Sequence, residues 1–232
     1  MAGDRVSRKN GDETGPPGAR REGGSPASAA RAGHLAFVAH EVRNPLSTAL
    51  WAAELLARLS PAERGGARGE KLAALALRSA LRLRTLVEDH LLAERLDAGG
   101  YPVRLEPVAV GAALDAALAR PGEAGSEAGR SLEPELVALA DRALFERVLR
   151  AVAAVAARDG RPTRIDGRRR GASVLLRFST PSPAPVDDPA KGGGSDPDGL
   201  ALALPAARRA AEAMGGSLSS DGEGYLVEIP AA

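Results

Sequence analysis

One seven-residue string holds the residue types needed for group transfer: His40-Glu41-Val42-Arg43-Asn44-Pro45-Leu46. A neutral imidazole is a nucleophile that can take a phosphoryl group on one ring nitrogen. An acceptor must then hold the other nitrogen and fix the tautomer. Glu41 is the nearest carboxylate in the chain and is the candidate for that acceptor. Asn44 follows His40 by one helical turn, so the two project from one side of a helix, where the amide can orient a water or an acyl phosphate. Pro45 has no backbone donor and is expected to bend the helix. His34 and His90 have no comparable surroundings and read as structural or surface residues. The three histidines make no metal-ligand spacing such as HExxH, and the absence of cysteine excludes thiolate sites and disulfides. Neither a metal nor a cofactor is expected.

The string needs a rigid helix beneath it. Leu35, Val38, Val42, Leu46, Leu50, Ala53 and Leu56 or Ala57 recur at steps of three and four, which predicts a helix over 35–59. Its length is about 37 Å at about 1.5 Å per residue. Ser60-Pro61 stops it, and Gly65-Gly66 and Gly69 mark a turn. A second helical pattern runs from Glu70 to about Asp97 through Leu72, Leu75, Ser79, Leu83, Leu86, His90 and either Leu91 or Ala93, and Gly99-Gly100 closes it. Two amphipathic helices joined by a short loop make an antiparallel hairpin. A single hairpin leaves apolar surface in water, so two copies are expected to pair into a four-helix bundle, with Leu46 and Leu83 inside it.

Residues 1–32, rich in Gly, Pro, Ser, Arg and Glu, cannot bury enough apolar surface to order themselves and read as a dispensable disordered tail. Beyond residue 100 the periods mix. Val103–Val110 reads as a strand leading to a helix that ends at Leu118, residues 120–131 as a loop, and Leu136–Ala138 as a short strand. Asp141 reads as the N-cap of a helix reaching Arg158. Thr163–Ile165 and Ser173–Phe178 read as strands, residues 180–198 as a long loop, and Leu200–Met214 as a helix with Pro205 in its first turn. Ser217–Ser219 and Tyr225–Ile229 read as a hairpin about Asp221-Gly222. The expected fold class is α+β: a helical hairpin forming a dimeric four-helix bundle (33–98), followed by a small α/β sandwich (99–232).

The net charge of +1 argues against a nucleic-acid or membrane-surface partner, and Arg168-Arg169-Arg170 reads as a solvated turn. No apolar run reaches the roughly 18 residues that span a bilayer, and no signal-peptide core stands at the N-terminus. A cytoplasmic protein without membrane insertion is expected.

The string around His40 resembles the phosphoacceptor box of two-component histidine kinases, His-Glu-x-Arg-Asn/Thr-Pro-Leu. The segment Leu81-Arg82-Leu83-Arg84-Thr85-Leu86-Val87-Glu88-Asp89-His90-Leu91-Leu92 is similar to that family's second helix. The resemblance implies His40 as phosphoacceptor, Glu41 as acid–base partner and Asn44 as a residue used in dephosphorylating a response regulator. It extends over about 34–230 and implies a second domain like the kinase ATP-binding domain, but it fails where nucleotide chemistry belongs. The helix-borne Asn pair that holds magnesium and phosphate falls on Ala151 and Val155. The adenine-binding Asp falls on Thr180, with its glycines at Ser182 and Ala184, and the phosphate loop is reduced to Asp198-Gly199-Leu200-Ala201-Leu202.

Three functions are therefore open. The first is a phosphorelay protein, a histidine phosphotransferase or pseudokinase, exchanging phosphoryl between His40 and the Asp of response regulator receiver domains without ATP. The second is an active cytoplasmic sensor kinase with a divergent ATP site, and the third a non-enzymatic receiver-binding scaffold. The receiver is expected to dock around His40, near Leu46 and Leu50, with help from the second helix.

Overall fold

The structure is a computed structural model. It describes residues 26–119, 129–157, 163–180 and 202–232, with side chains from residue 35 onward. Two long helices, α1 (Pro26–Arg58) and α3 (Ala67–Asp97), pack along each other as the expected antiparallel hairpin, with a single helical turn, α2 (Pro61–Arg64), between them. Residues 26–32, expected in the tail, are the first two turns of α1; Ala27, Ala29, Ala30 and Ala32 are strong helix formers, and Pro26 sits where its missing donor costs nothing. The rest of the predicted tail, 1–25, lies outside the described residues.

The turn between the helices is tightly specified. Ser60 and Glu63 form a capping box: Ser60 Oγ accepts from the Glu63 amide at 3.4 Å, and the Glu63 carboxylate accepts from the Ser60 amide at 3.0 Å. Arg64 donates to the Leu59 carbonyl at 3.0 Å, satisfying an acceptor at the end of α1. Gly69 is not in the turn, as its spacing suggested, but in the first turn of α3, pressed against α2. A Cβ there would lie 2.0 Å from the Arg64 carbonyl oxygen. Gly69→Ala should therefore lower stability by about 1–3 kcal/mol, the usual cost of overpacking, as a drop in the midpoint of thermal unfolding. An unchanged midpoint would show that the turn gives way freely.

At its other end α3 closes as expected. Gly99 takes φ +65°, its amide donates to Leu96 and the Gly100 amide to Arg95, the paired bonds of a Schellman cap.

The second unit is an α/β sandwich. A two-stranded antiparallel sheet pairs β1 (Glu106–Ala109) with β3 (Val137–Ala140). A five-stranded sheet has the order β2 (Gly129–Leu132), β4 (Arg164–Arg170), β5 (Ser173–Ser179), β7 (Gly224–Pro230), β6 (Ser217–Asp221). Among the described strands only the β2–β4 pair is parallel. Alternate residues Ile165; Val174, Leu176, Phe178; and Tyr225, Val227, Ile229 form the buried face, on which α4 (Val110–Leu118), α5 (Arg142–Ala156) and α6 (Ala203–Ala213) contribute to one core. Small Ala206, Ala207, Ala210 and Ala211 are buried on α6, which packs against α5.

Two readings need correction. The end of the predicted 120–131 loop is strand β2, its low apolar content being no obstacle because it is a sheet edge held by backbone pairing to β4. Arg168-Arg169-Arg170 is not a turn but the second half of β4, paired residue for residue with Ser173–Leu175 of β5. The long loop expected at 180–198 lies outside the described residues apart from Thr180.

Candidate functional site

His40 is solvent-exposed on α1, and Asn44 is exposed one turn further on. The helix runs through Pro45, whose ring is buried and which lacks the amide hydrogen that a helix ordinarily uses at each position. Thr48 Oγ1 donates to the Asn44 carbonyl at 3.1 Å. Glu41 is placed differently from its neighbours: at 5% exposure it is turned into the hairpin. At about 100° per residue, Glu41, Pro45, Ala52 and Leu59 share one side of α1, the side buried on α3. The structure thus brings His40 and Asn44 together and sends the Glu41 carboxylate elsewhere.

The apolar stripe predicted for α1 is a second side of that helix. Leu35, Leu46 and Leu50 are exposed, as are Leu77, Val87 and Leu91 on α3. Because the helices are antiparallel, these two stripes emerge on the same side of the hairpin. The stripe read on α3 holds: Leu72, Ser79, Leu86 and Ala93 are buried toward α1, and Ala93 rather than Leu91 completes it. His40 and Asn44 project on the other side of α1 from Leu46. With them stands Trp51, 55% exposed, at an interval of eleven residues from His40. Periodicity on its own did not single out Trp51; its spacing from His40 by three helical turns was the available signal.

In the second unit, Asp141 caps α5 as expected. Its Oδ1 accepts from the Leu144 amide at 3.2 Å, and its Oδ2 accepts from the Arg104 amide at 3.1 Å. Ala151 is packed against the core and Val155 is buried within it. Neither side chain has an oxygen for a cation, so this part of the helix does not fit a magnesium–phosphate group. The Thr180 amide donates to the Glu223 carbonyl at 3.0 Å. Ser182, Ala184 and Asp198–Ala201 lie outside the described residues. Among the described residues no cluster of three His, Asp or Glu is disposed to hold a metal, and no helix is long and apolar enough to cross a membrane.

The units meet at an ion pair. Arg147 of α5 grips Asp89 of α3 through Nε at 2.9 Å and Nη2 at 2.5 Å, and Asp89 is 6% exposed. Burial pushes the Asp89 carboxyl above its ordinary range, and Arg147 opposes that shift. Arg209 of α6 pairs with Asp97 at 2.8 Å.

Comparison with known proteins agrees with this architecture. Residues 30–99 match the His Kinase A (phospho-acceptor) domain. The Acinetobacter baumannii histidine kinase AdeS superposes with a TM-score of 0.58 at 17% identity, over 82% of this chain and 97% of that one. Full-length ShkA, solved in complex with AMPPNP, superposes with a TM-score of 0.54 at 23% identity over 86% of this chain, which spans only 46% of ShkA. No curated protein matches. The hairpin belongs to the phospho-acceptor family of two-component histidine kinases, and the described residues have the fold of those kinases, hairpin and ATPase-type domain in order.

Proposed function

We propose that this protein carries a phosphoryl group on His40 and exchanges it with the aspartate of response regulator receiver domains, ATP binding having been lost. One observation carries the reading. An exposed His40–Asn44 face is kept on α1, while the helix that should ligate magnesium and phosphate presents Ala151 and Val155. The balance of the step is simple. A P–O bond of the receiver's acyl phosphate breaks, a P–N bond to the imidazole forms, the Asp leaves as a carboxylate, and the N–H proton of the exposed ring passes to solvent water. Positioning supplies most of the catalysis. Asn44 orients the acyl phosphate or, in the reverse sense, a water. Glu41, turned into the hairpin, acts on the His40 turn from inside rather than as a direct acceptor. An active cytoplasmic kinase with a divergent ATP site is the second reading, favoured by the kinase fold of the whole chain; a pure scaffold would have no use for the His40 box. The deciding experiment is label transfer to His40 from a phosphorylated receiver compared with labelled ATP and magnesium.

The receiver docks on the face that His40, Asn44 and Trp51 share, not on the Leu46–Leu50 stripe, which is open on the other side of α1. An exposed tryptophan on the same helix side as a reactive group, three turns away, is a typical binding hot spot, worth about 2 kcal/mol, or roughly thirtyfold in Kd. Trp51→Ala should weaken receiver binding by that order in a titration while leaving the dimer intact. Unchanged affinity would move the docking face elsewhere.

A further inference from the structure

The segment joining the two units contains Gly99 and Gly100 and has the composition of a hinge. A domain that delivers a phosphoryl group from nucleotide has to travel until donor and histidine are in line. Here the joint is fastened at several points. Gly99 and Gly100 are locked in the cap of α3. Tyr101 and Val103 pack on the core of the second unit, and the Arg104 amide is held by Asp141. Leu92 of α3 is itself part of that core, and α6 packs against α3.

Position along the hairpin matters as well. His40 lies 18 residues before the end of α1 at Arg58, and Asp89 lies 22 residues after the start of α3 at Ala67. Asp89 is thus about four residues, roughly 6 Å at about 1.5 Å per residue, further from the connecting turn than His40. By helical phase, Asp89, Leu92 and Leu96 project on the side of the hairpin that also carries His40 and Asn44, opposite the open leucine stripes.

We infer that Asp89–Arg147, with Asp97–Arg209 at the rim, is a latch that holds the second domain closed against α3, about one helical turn beyond His40. Arg147 acts as a positioning residue: the Asp89 carboxylate it grips is nearly sealed from water, so losing either partner strands a charge and favours opening. The latched domain cannot travel to His40 and stands as a fixed wall beside the receiver's approach. The wall rests on the proposed function; the latch does not.

Limited trypsin digestion of the full chain tests it. Arg104 is exposed but its bond to Leu105 lies in the fastened joint, whereas Arg64 in the hairpin turn provides an internal reference. In the native protein, cleavage at Arg104 should lag far behind cleavage at Arg64. Arg147→Met and Asp89→Asn should raise the Arg104 rate by about tenfold or more relative to Arg64, because proteolysis follows the open population. Arg147→Lys should fall between. Equal ratios in native protein and folded variants would overturn the latch. Should the core variants fail to fold, Asp97→Ala with Arg209→Ala at the rim should raise the ratio several-fold, and an unchanged ratio there counts equally against it. The readout involves no phosphoryl transfer, so its failure and that of the proposed function are separable.

Discussion

Mixed with a phosphorylated receiver, the purified protein should take up label at residue 40, and His40→Gln should reduce that label to background. With labelled ATP and magnesium alone, both proteins should stay unlabelled. The first half follows from exposure and chemistry. His40 offers an accessible imidazole on a rigid helix, with Asn44 one turn away, and glutamine keeps the shape of the side chain but has no nucleophilic ring nitrogen. The second half follows from α5. A triphosphate–magnesium complex needs oxygen ligands, and the residues at those places are Ala151, against the core, and Val155, within it. Phosphohistidine and aspartyl phosphate are both high-energy species, so transfer between them needs no nucleotide, and labelled protein should also return its label when an unphosphorylated receiver is added. Robust labelling by ATP alone would sink this reading and restore the active kinase.

The second large effect concerns assembly. Leu46→Glu on α1 or Leu77→Glu on α3 should convert a dimer to monomer at micromolar concentration, seen as a halved mass in light scattering. Leu77 is 61% exposed in a single chain, and it shares one side of the hairpin with Leu35, Leu46, Leu50, Val87 and Leu91. That side is left open by the described residues of the chain, and a second copy is expected to cover it symmetrically. Each substitution forfeits about 2 kcal/mol of apolar burial and is made twice in a two-fold assembly. The loss is therefore about 4 kcal/mol before any cost of burying the new carboxylate, which is roughly a thousandfold in Kd. Trp51→Glu, on the other side of α1, is the control and should leave the mass unchanged. A dimer that survives Leu46→Glu and Leu77→Glu together would place the interface elsewhere.

Much of the candidate site was legible in the chain because its signals are local. Steps of three and four from Leu72 to Ala93 mark the buried side of α3, Gly99-Gly100 marks its end, and the His40–Leu46 string marks the reactive turn of α1. Asp141 before Arg142–Ala156 was a cap by position and is one in fact. Strand β2 escaped notice because an edge strand needs only backbone pairing, and the basic half of β4 because three arginines look like a turn until β5 pairs with them.

Periodicity showed that residues 35–59 form a helix with an apolar stripe. It could not tell which side of α1 meets α3. That was decided by Glu41, Pro45 and Ala52 packing inward, which left Leu46 and Leu50 open and put His40 on the same side of α1 as Trp51. The joint between the units was beyond local reading for the same reason. Asp89 and Arg147 stand 58 positions apart, and a surface-looking aspartate becomes a buried one only when a distant helix brings a guanidinium to it. Local sequence sets the helix and its phase, whereas contact, burial and charge pairing between distant segments exist only after the chain has folded.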